Sequence, residues 1–301
     1  MAIKTTGFIR MNGKFVKWNE AKVHILTHAL HYGSSIFEGI HSYKTEDGVA
    51  LFRLDNHINR FFYSASALSM RINFTKKELK NAIVNLVRKN KVEDGYVRPL
   101  AYYGYGNIGI FPKEIPTNVA LIAVKWRNYY AKPLAVMTSK FIRHSPNSTM
   151  FGTKIGGNYA NSILAMYEAR KKGYDEALML DEEGCISEGP AENLFIVKNN
   201  VLLTPNSRSA LHGITRDSIL KLSRDLDIKA YEKKITLQEL RNADETFYCG
   251  TATEIAPVIS VDNKKIGDGK IGEITLKVKE KYENIVRGRD KRYIKWLTSI
   301  Y

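Results

Sequence analysis

The stretch TKIGGNYAN, residues 153–161, sets Lys154 beside Gly156 and Gly157. Glycines give a lysine stem little to pack on, so the arrangement asks for a reason. Taken alone, a loop lysine is more often a solvated surface charge. The functional alternative is an amine in a partly desolvated site, nucleophilic toward an aldehyde. The glycines would then let the backbone approach a flat ligand without a clash. Farther along, CISEGPAENLFIV places Glu188 at the end of a short strand, on the turn before Gly189 and Pro190. A solvated turn carboxylate is the plain reading. Pyridoxal phosphate offers another: a lysine holds its aldehyde, and a carboxylate keeps the ring nitrogen protonated and the ring electron-withdrawing. Lys154 and Glu188 would be the two ends of one such cofactor.

Its phosphate end calls for backbone amides at a helix N-terminus. LHGITRDSIL supplies a candidate, with Gly213 and Ile214 before a helix and Thr215 at its cap. An ordinary capped helix explains Thr215 equally well. CGTATE, around Thr251, ends a strand in small hydroxylated residues suited to anion binding, or to a plain strand connection. Arg60 in NHINRFF is a candidate phosphate cation, and otherwise a surface charge. GYGNIG at 104–109 matches a dinucleotide fingerprint, but the IFPKEIP that follows does not open a helix, so that reading fails. His24, His28, His31 and His41 lack the carboxylates of a zinc motif and read as core or surface histidines.

The elements that must position these residues are legible in outline. GFIRMNGKFVKW reads as a hairpin turning at Asn12-Gly13. Strands are expected in SSIFEGIHSY, VALFRL, YVRPLAYYG and NVALIAVKW, and helices in LDNHINRFFYSASAL and TKKELKNAIVNLVRKN. The second helix opens with Thr75 and Glu78 at capping-box spacing. RNYYAKPL suggests a linker at 127–134, between an N-terminal domain at 1–126 and a second at 135–301. In the second part a strand LAVMTSKFI, a helix NSILAMYEARKK stopped by Gly173, and strands EALML and ETFYCG are expected. NLFIVKNNVLLTP reads as a hairpin, and Thr236 with Glu239 as a second capping box. Mixed helices and hairpins make the fold class α+β.

Composition narrows the function classes. The 301 residues are 44% hydrophobic and 26% charged, as in a soluble globular chain. No run approaches the roughly 20 apolar residues of a membrane span, and MAIKTTGFIRMNGKF lacks a signal-peptide core. Cys185 and Cys249 are too few for a disulfide framework, so a cytoplasmic setting is expected. A net charge of +15 admits nucleic acid as a partner. Yet LKVKEKYENIVRGRDKRYIKW interleaves acids and bases at helical spacing, the mark of a solvated helix face. Nucleic-acid binding stays a remote alternative.

With these pieces in order, the chain resembles branched-chain amino acid aminotransferases, of the fold type IV class of pyridoxal-phosphate enzymes. HALHYGSSIFEGI, FRLDNHINR, YVRPL, KIGGNY, ISEGPAENLF, HGITRD and CGTATEIAPV carry the likeness, in the family's order. The resemblance implies a small N-terminal α/β domain and a larger domain with a pseudo-barrel, the cofactor between them, in a homodimer or higher homo-oligomer. It implies transfer of the amino group of leucine, isoleucine or valine to 2-oxoglutarate, with Lys154 holding the cofactor and moving the proton. By the same likeness Glu188 matches the carboxylate at the pyridine nitrogen, and Tyr159 the tyrosine near the phenolic oxygen. Arg60, Ile214, Thr215 and Thr251 match the phosphate cup, and Leu211 the residue packed on the ring. Tyr96 and the Thr251–Ala252 backbone would hold the substrate carboxylate, and Arg98 the second carboxylate of glutamate. Phe37 and Tyr32 of the partner subunit would line the apolar pocket, with Trp126 and Tyr129 candidates for its outer wall. D-amino acid transaminases, (R)-selective amine transaminases and aminodeoxychorismate lyases share the lysine and glutamate; YVR at 96–98 and GTATE favour L-branched-chain substrates.

Overall fold

A computed structural model of the chain describes residues 4–126 and 132–301. Most of the expected linker, Tyr129 included, lies outside the described residues. By their contacts the described residues form two compact units. The first takes in 4–126, 153–158 and 284–301, and the second 132–152 and 159–283.

The first unit opens on the expected hairpin, β1 (Phe8–Met11) with β2 (Lys14–Lys17). Asn12 and Gly13 at its turn both take positive φ, 47° and 86°, which a two-residue hairpin turn requires. Next come α1 (His28–Tyr32), β3 (Ser35–Phe37), β4 (Ile40–Thr45), β5 (Gly48–Phe52), α2 (Leu54–Ala67), α3 (Lys76–Lys89), β6 (Gly95–Tyr103) and β7 (Thr117–Lys125). The sheet runs from the C-terminal strand Leu297–Ser299 through β5, β4, β6, β7 and β1 to β2, with β3 also paired to β6. All of these pairings are antiparallel. Leu54, Ile58 and Phe61 of α2, and Leu79, Ile83 and Leu86 of α3, recur every three or four residues. They enter one core with Ile40, Leu51 and Val97. The Thr75–Glu78 capping box forms as expected.

The second unit holds β8 (Leu134–Thr138), α4 (Tyr159–Lys171), β9 (Glu176–Leu180), β10 (Ile186–Glu188), β11 (Asn193–Lys198), β12 (Val201–Pro205), α5 (Ile214–Leu222), β13 (Ala230–Lys233), α6 (Leu237–Arg241), β14 (Glu245–Gly250), β15 (Glu254–Val261) and β16 (Lys264–Lys265). Its sheet order is β10-β9-β8-β15-β14-β11-β12-β13. Here β8 runs parallel to β9 and β15, and β12 parallel to β13. Gly173 ends α4 in a left-handed conformation, φ 82°. The interleaved C-terminal charges lie partly on α7 (Glu273–Val286), where Lys277 pairs with Glu273 at 2.6 Å. The chain is α+β.

Candidate active site

In the first unit, Lys154 is fixed through its backbone. Its N–H donates to Ser64 Oγ at 3.0 Å, and its carbonyl accepts from Phe37 N–H at 3.1 Å. Ile155 bridges Ile36. The glycines of this loop are also required by its own packing. A Cβ on Gly156 would lie 2.2 Å from Ser35 Oγ, and one on Gly33 would lie 2.6 Å from Gly157 Cα. Gly157 N–H also donates to Gly33 O at 3.0 Å. The bare backbone of this loop is therefore a close approach to residues 33–35, which sets the lysine against β3.

The lysine's amine lies 4.8 Å from the centre of the Phe37 ring, and the Arg98 guanidinium 4.6 Å from the same ring. Tyr96 and Arg98 sit two apart on β6 and so share a face. Arg98 Nη2 donates to the Tyr96 hydroxyl at 3.2 Å. Arg98 Nε is buried without a hydrogen-bond partner among the described residues. Gly39 makes room for the phenol: a Cβ there would lie 1.8 Å from Tyr96 Oη. Trp126 tilts against Tyr96 with ring centres 5.6 Å apart. Phe37, Tyr96, Arg98 and Lys154 are thus brought together.

Arg60 has a partner that sequence reasoning missed. Glu38, fully buried, accepts from Arg60 Nε at 2.5 Å and Nη2 at 3.0 Å, and lies 2.7 Å from His57 Nδ1. His57 and Arg60 are three apart on α2 and so face Glu38 together. Burial pushes the Glu38 carboxyl up, but the Arg60 and His57 charges and their hydrogen bonds outweigh it and hold the group far below its ordinary 4.5. Burial in turn lowers His57. Because the folded value of Glu38 is depressed, its stabilising share is complete above the ordinary carboxylate range and is lost only as pH falls toward the folded value. Glu38→Ala removes the buried acceptor that Arg60 and His57 share. Its expected cost is about 3–5 kcal/mol at pH 7, read as a shift of the urea midpoint, and a loss under 1 kcal/mol would contradict this role.

Tyr32 lies apart from that cluster. Its hydroxyl donates to Ile108 O, and His28, buried under it, meets Ser34 Oγ at 2.7 Å and Gly109 O at 3.0 Å. Together α1 and the 104–111 loop expose Leu30, Tyr32, Tyr105, Ile108, Ile110 and Phe111. Gly104–Gly109 opens no helix, consistent with discarding the dinucleotide motif.

In the second unit, Glu188 ends β10, buried. Its Oε1 pairs with Arg143 Nη2 at 2.9 Å. Its Oε2 accepts from Asn193 Nδ2 at 3.1 Å and from Leu211 N–H at 3.0 Å. Arg143 is anchored by donating to Ser162 Oγ at 2.9 Å. Arg143 carried no sequence signal, because its partner Glu188 is remote in the chain, while Asn193 sits five residues from Glu188 within ISEGPAENLF. Leu211 is held at both ends of its backbone, since its carbonyl accepts from Asn193 Nδ2 at 2.8 Å. Two residues on, a Cβ at Gly213 would lie 1.9 Å from Asn193 Oδ1, so a side chain there would displace the Asn193 amide from its present place.

The helix cap differs from expectation. Gly213, not Thr215, is the N-cap of α5, and no side chain caps it. Thr215 lies buried in the first turn beside Ile214. The clash at Gly213 explains the shift, because a capping side chain has no room there. An uncapped, buried helix start offers N–H groups to an anion. Thr251 and Ala252 lie on the three-residue turn 251–253 that joins β14 to β15, closed by the Gly250–Glu254 pair, with Glu254 at φ 53°. Tyr159 opens α4. A carboxylate held by three donors and an uncapped helix start are groups that fit the ring nitrogen and the phosphate of pyridoxal phosphate.

An uncapped helix start, a carboxylate held by three donors and a backbone-anchored lysine are the kinds of group a pyridoxal-phosphate transferase needs. The model of the family Amino-transferase class IV matches residues 35–261, and the chain belongs to that family. Within it the chain is similar over its full length to the branched-chain-amino-acid aminotransferases. It is 40% identical to that of Pseudomonas aeruginosa, covering 98% of this chain and 97% of the relative. It is 39% identical to that of Escherichia coli K12, covering 100% and 99%. Among solved structures, a T.th. branched-chain amino acid aminotransferase complexed with N-(5'-phosphopyridoxyl)-L-glutamate superposes with a TM-score of 0.97, at 43% identity and full coverage of both chains.

Proposed function

We propose that the chain transfers the amino group of L-leucine, L-isoleucine or L-valine to 2-oxoglutarate with pyridoxal 5'-phosphate as cofactor. The observation that carries this reading is the full-length likeness to transferases of that name, one of them solved with a phosphopyridoxyl group. Bound pyridoxal phosphate supplies an aldehyde for the amine and a ring that spreads the negative charge left at the α-carbon. Lys154 Nζ would hold the aldehyde, and its amine would be the base for the substrate's α-proton. Glu188, held by Arg143, Asn193 and the Leu211 amide, would serve the ring nitrogen. Tyr159 would serve the phenolic oxygen, and Leu211 would pack on the ring. Arg60 with Ile214, Thr215 and Thr251 would hold the phosphate. Tyr96 and the Thr251–Ala252 backbone take the substrate carboxylate, while Phe37 and Tyr32 of the partner subunit line the side-chain pocket. The same pocket accepts the second carboxylate of 2-oxoglutarate because Arg98 pairs with it.

The exposed apolar surface of α1 and the 104–111 loop supports a homodimer, since a patch of this kind on one protomer is covered by a second copy. Among the described residues no helix is long and apolar enough to cross a membrane, and the proposed setting is the cytoplasm. The test is the visible spectrum of the purified protein. Loss of the cofactor band on adding L-leucine, restored by 2-oxoglutarate, is expected. A band answering only to D-alanine or an (R)-amine would keep the fold and overturn the substrate.

A further inference from the structure

The SEGPAEN stretch carries a second buried glutamate that the reading above leaves without a role. Glu192 is 4% exposed and Glu176, on β9, 1% exposed. Gly189 N–H donates to Glu192 O at 2.7 Å, which closes the 189–192 turn directly after Glu188. The side chain then reaches two ways. Its Oε2 accepts from Ala191 N–H at 3.0 Å, and its Oε1 accepts from the Thr253 hydroxyl at 3.2 Å. Gly189 lies so close that a Cβ there would stand 3.1 Å from Glu192 Oε2. One carboxyl therefore joins the turn that follows Glu188 to the turn that holds Thr251 and Ala252.

We propose that Glu192 is a positioning residue that ties the 189–192 turn to the 251–253 turn and so sets where the latter's backbone meets the substrate carboxylate. This rests on the placement of that carboxylate under Proposed function. The groups facing Glu192 make the tie sensitive to pH. Burial first, then the charges of Glu176 and Glu188, push its carboxyl up to about 8. Tyr248 and Cys249 of β14, both fully buried, face it as well and are themselves pushed up by burial, so neither offers it a compensating charge. Arg143 is taken by Glu188. Below about pH 8 the tie is a neutral carboxyl among its hydrogen bonds. Above it, a buried anion appears beside Glu176 and Glu188, and their repulsion displaces the carboxylate that links the two turns.

The test is equilibrium binding of 4-methylvalerate, a leucine-shaped carboxylate without the amine, to the holoenzyme between pH 6 and 10. The wild-type Kd is expected to rise about tenfold through pH 8 beyond any limb shared by all variants. Glu192→Gln, which keeps the shape of the neutral group, is expected to bind like wild type at pH 7 and to lack that extra rise. Thr253→Val is expected to bind about tenfold more weakly at pH 7. Superimposable pH profiles for wild type and Glu192→Gln, or wild-type affinity in Thr253→Val, would overturn the proposal. Wild-type holoenzyme that keeps its visible cofactor band yet fails to bind 4-methylvalerate would overturn the carboxylate placement itself, and the role of Glu192 with it.

Discussion

Lys154→Ala is expected to slow the leucine half-reaction by about 10⁴-fold while leaving the fold in place. The two losses separate because the lysine's backbone and side chain do different work. Its N–H bond to Ser64 and its carbonyl bond from Phe37 survive the substitution. So does the packing of Gly156 and Gly157 on residues 33–35. What disappears is an amine over the Phe37 ring, the group proposed to hold the aldehyde and accept the α-proton. Single-turnover absorbance with L-leucine measures the rate, and a urea midpoint within about 0.5 kcal/mol of wild type shows the fold intact. A variant that kept a tenth of the wild-type rate would remove Lys154 from the chemistry.

Arg98→Ala is expected to separate the two half-reactions. The leucine side chain is apolar and asks nothing of a cation. The second carboxylate of 2-oxoglutarate, by contrast, is an ion entering an apolar slot, and leaving it unpaired costs about 3–5 kcal/mol. That cost corresponds to roughly 10²- to 10⁴-fold in the 2-oxoglutarate half-reaction, with the leucine half changing by about threefold or less. Arg98 suits the role because its Nε is buried without a hydrogen-bond partner among the described residues while Tyr96 and Phe37 hold the guanidinium in place. Tyr96 loses one donor in the variant but stays seated against Gly39. Equal damage to both half-reactions in rapid-mixing experiments would mean that Arg98 merely supports Tyr96.

Features encoded within a few residues were legible from the sequence. The Asn12-Gly13 turn and the capping boxes at Thr75–Glu78 and Thr236–Glu239 all form, because each needs only neighbours three or four residues away. Ordered motifs marked Lys154 and Glu188 as candidates before any coordinates. The short helix α1 and the last strand went unread. Leu297–Ser299 becomes a strand only by pairing with β5, some 245 residues earlier in the chain, and no local pattern announces such a partner.

By itself, then, the sequence determined which residues are candidates for the chemistry and many of the segments that become helix or hairpin, since residue type and short-range spacing are local properties. Tertiary structure decided how those residues are held. It packed Gly156 and Gly157 against Ser35 and Gly33. It moved the cap of α5 from Thr215 to Gly213, because Asn193 fills the space a side chain would need. It also supplied Glu38 to Arg60, Arg143 to Glu188 and Thr253 to Glu192. Each is a buried polar group whose partner arrives from a distant part of the chain. Burying such a group without a partner is costly, and only the folded chain shows where the partner comes from.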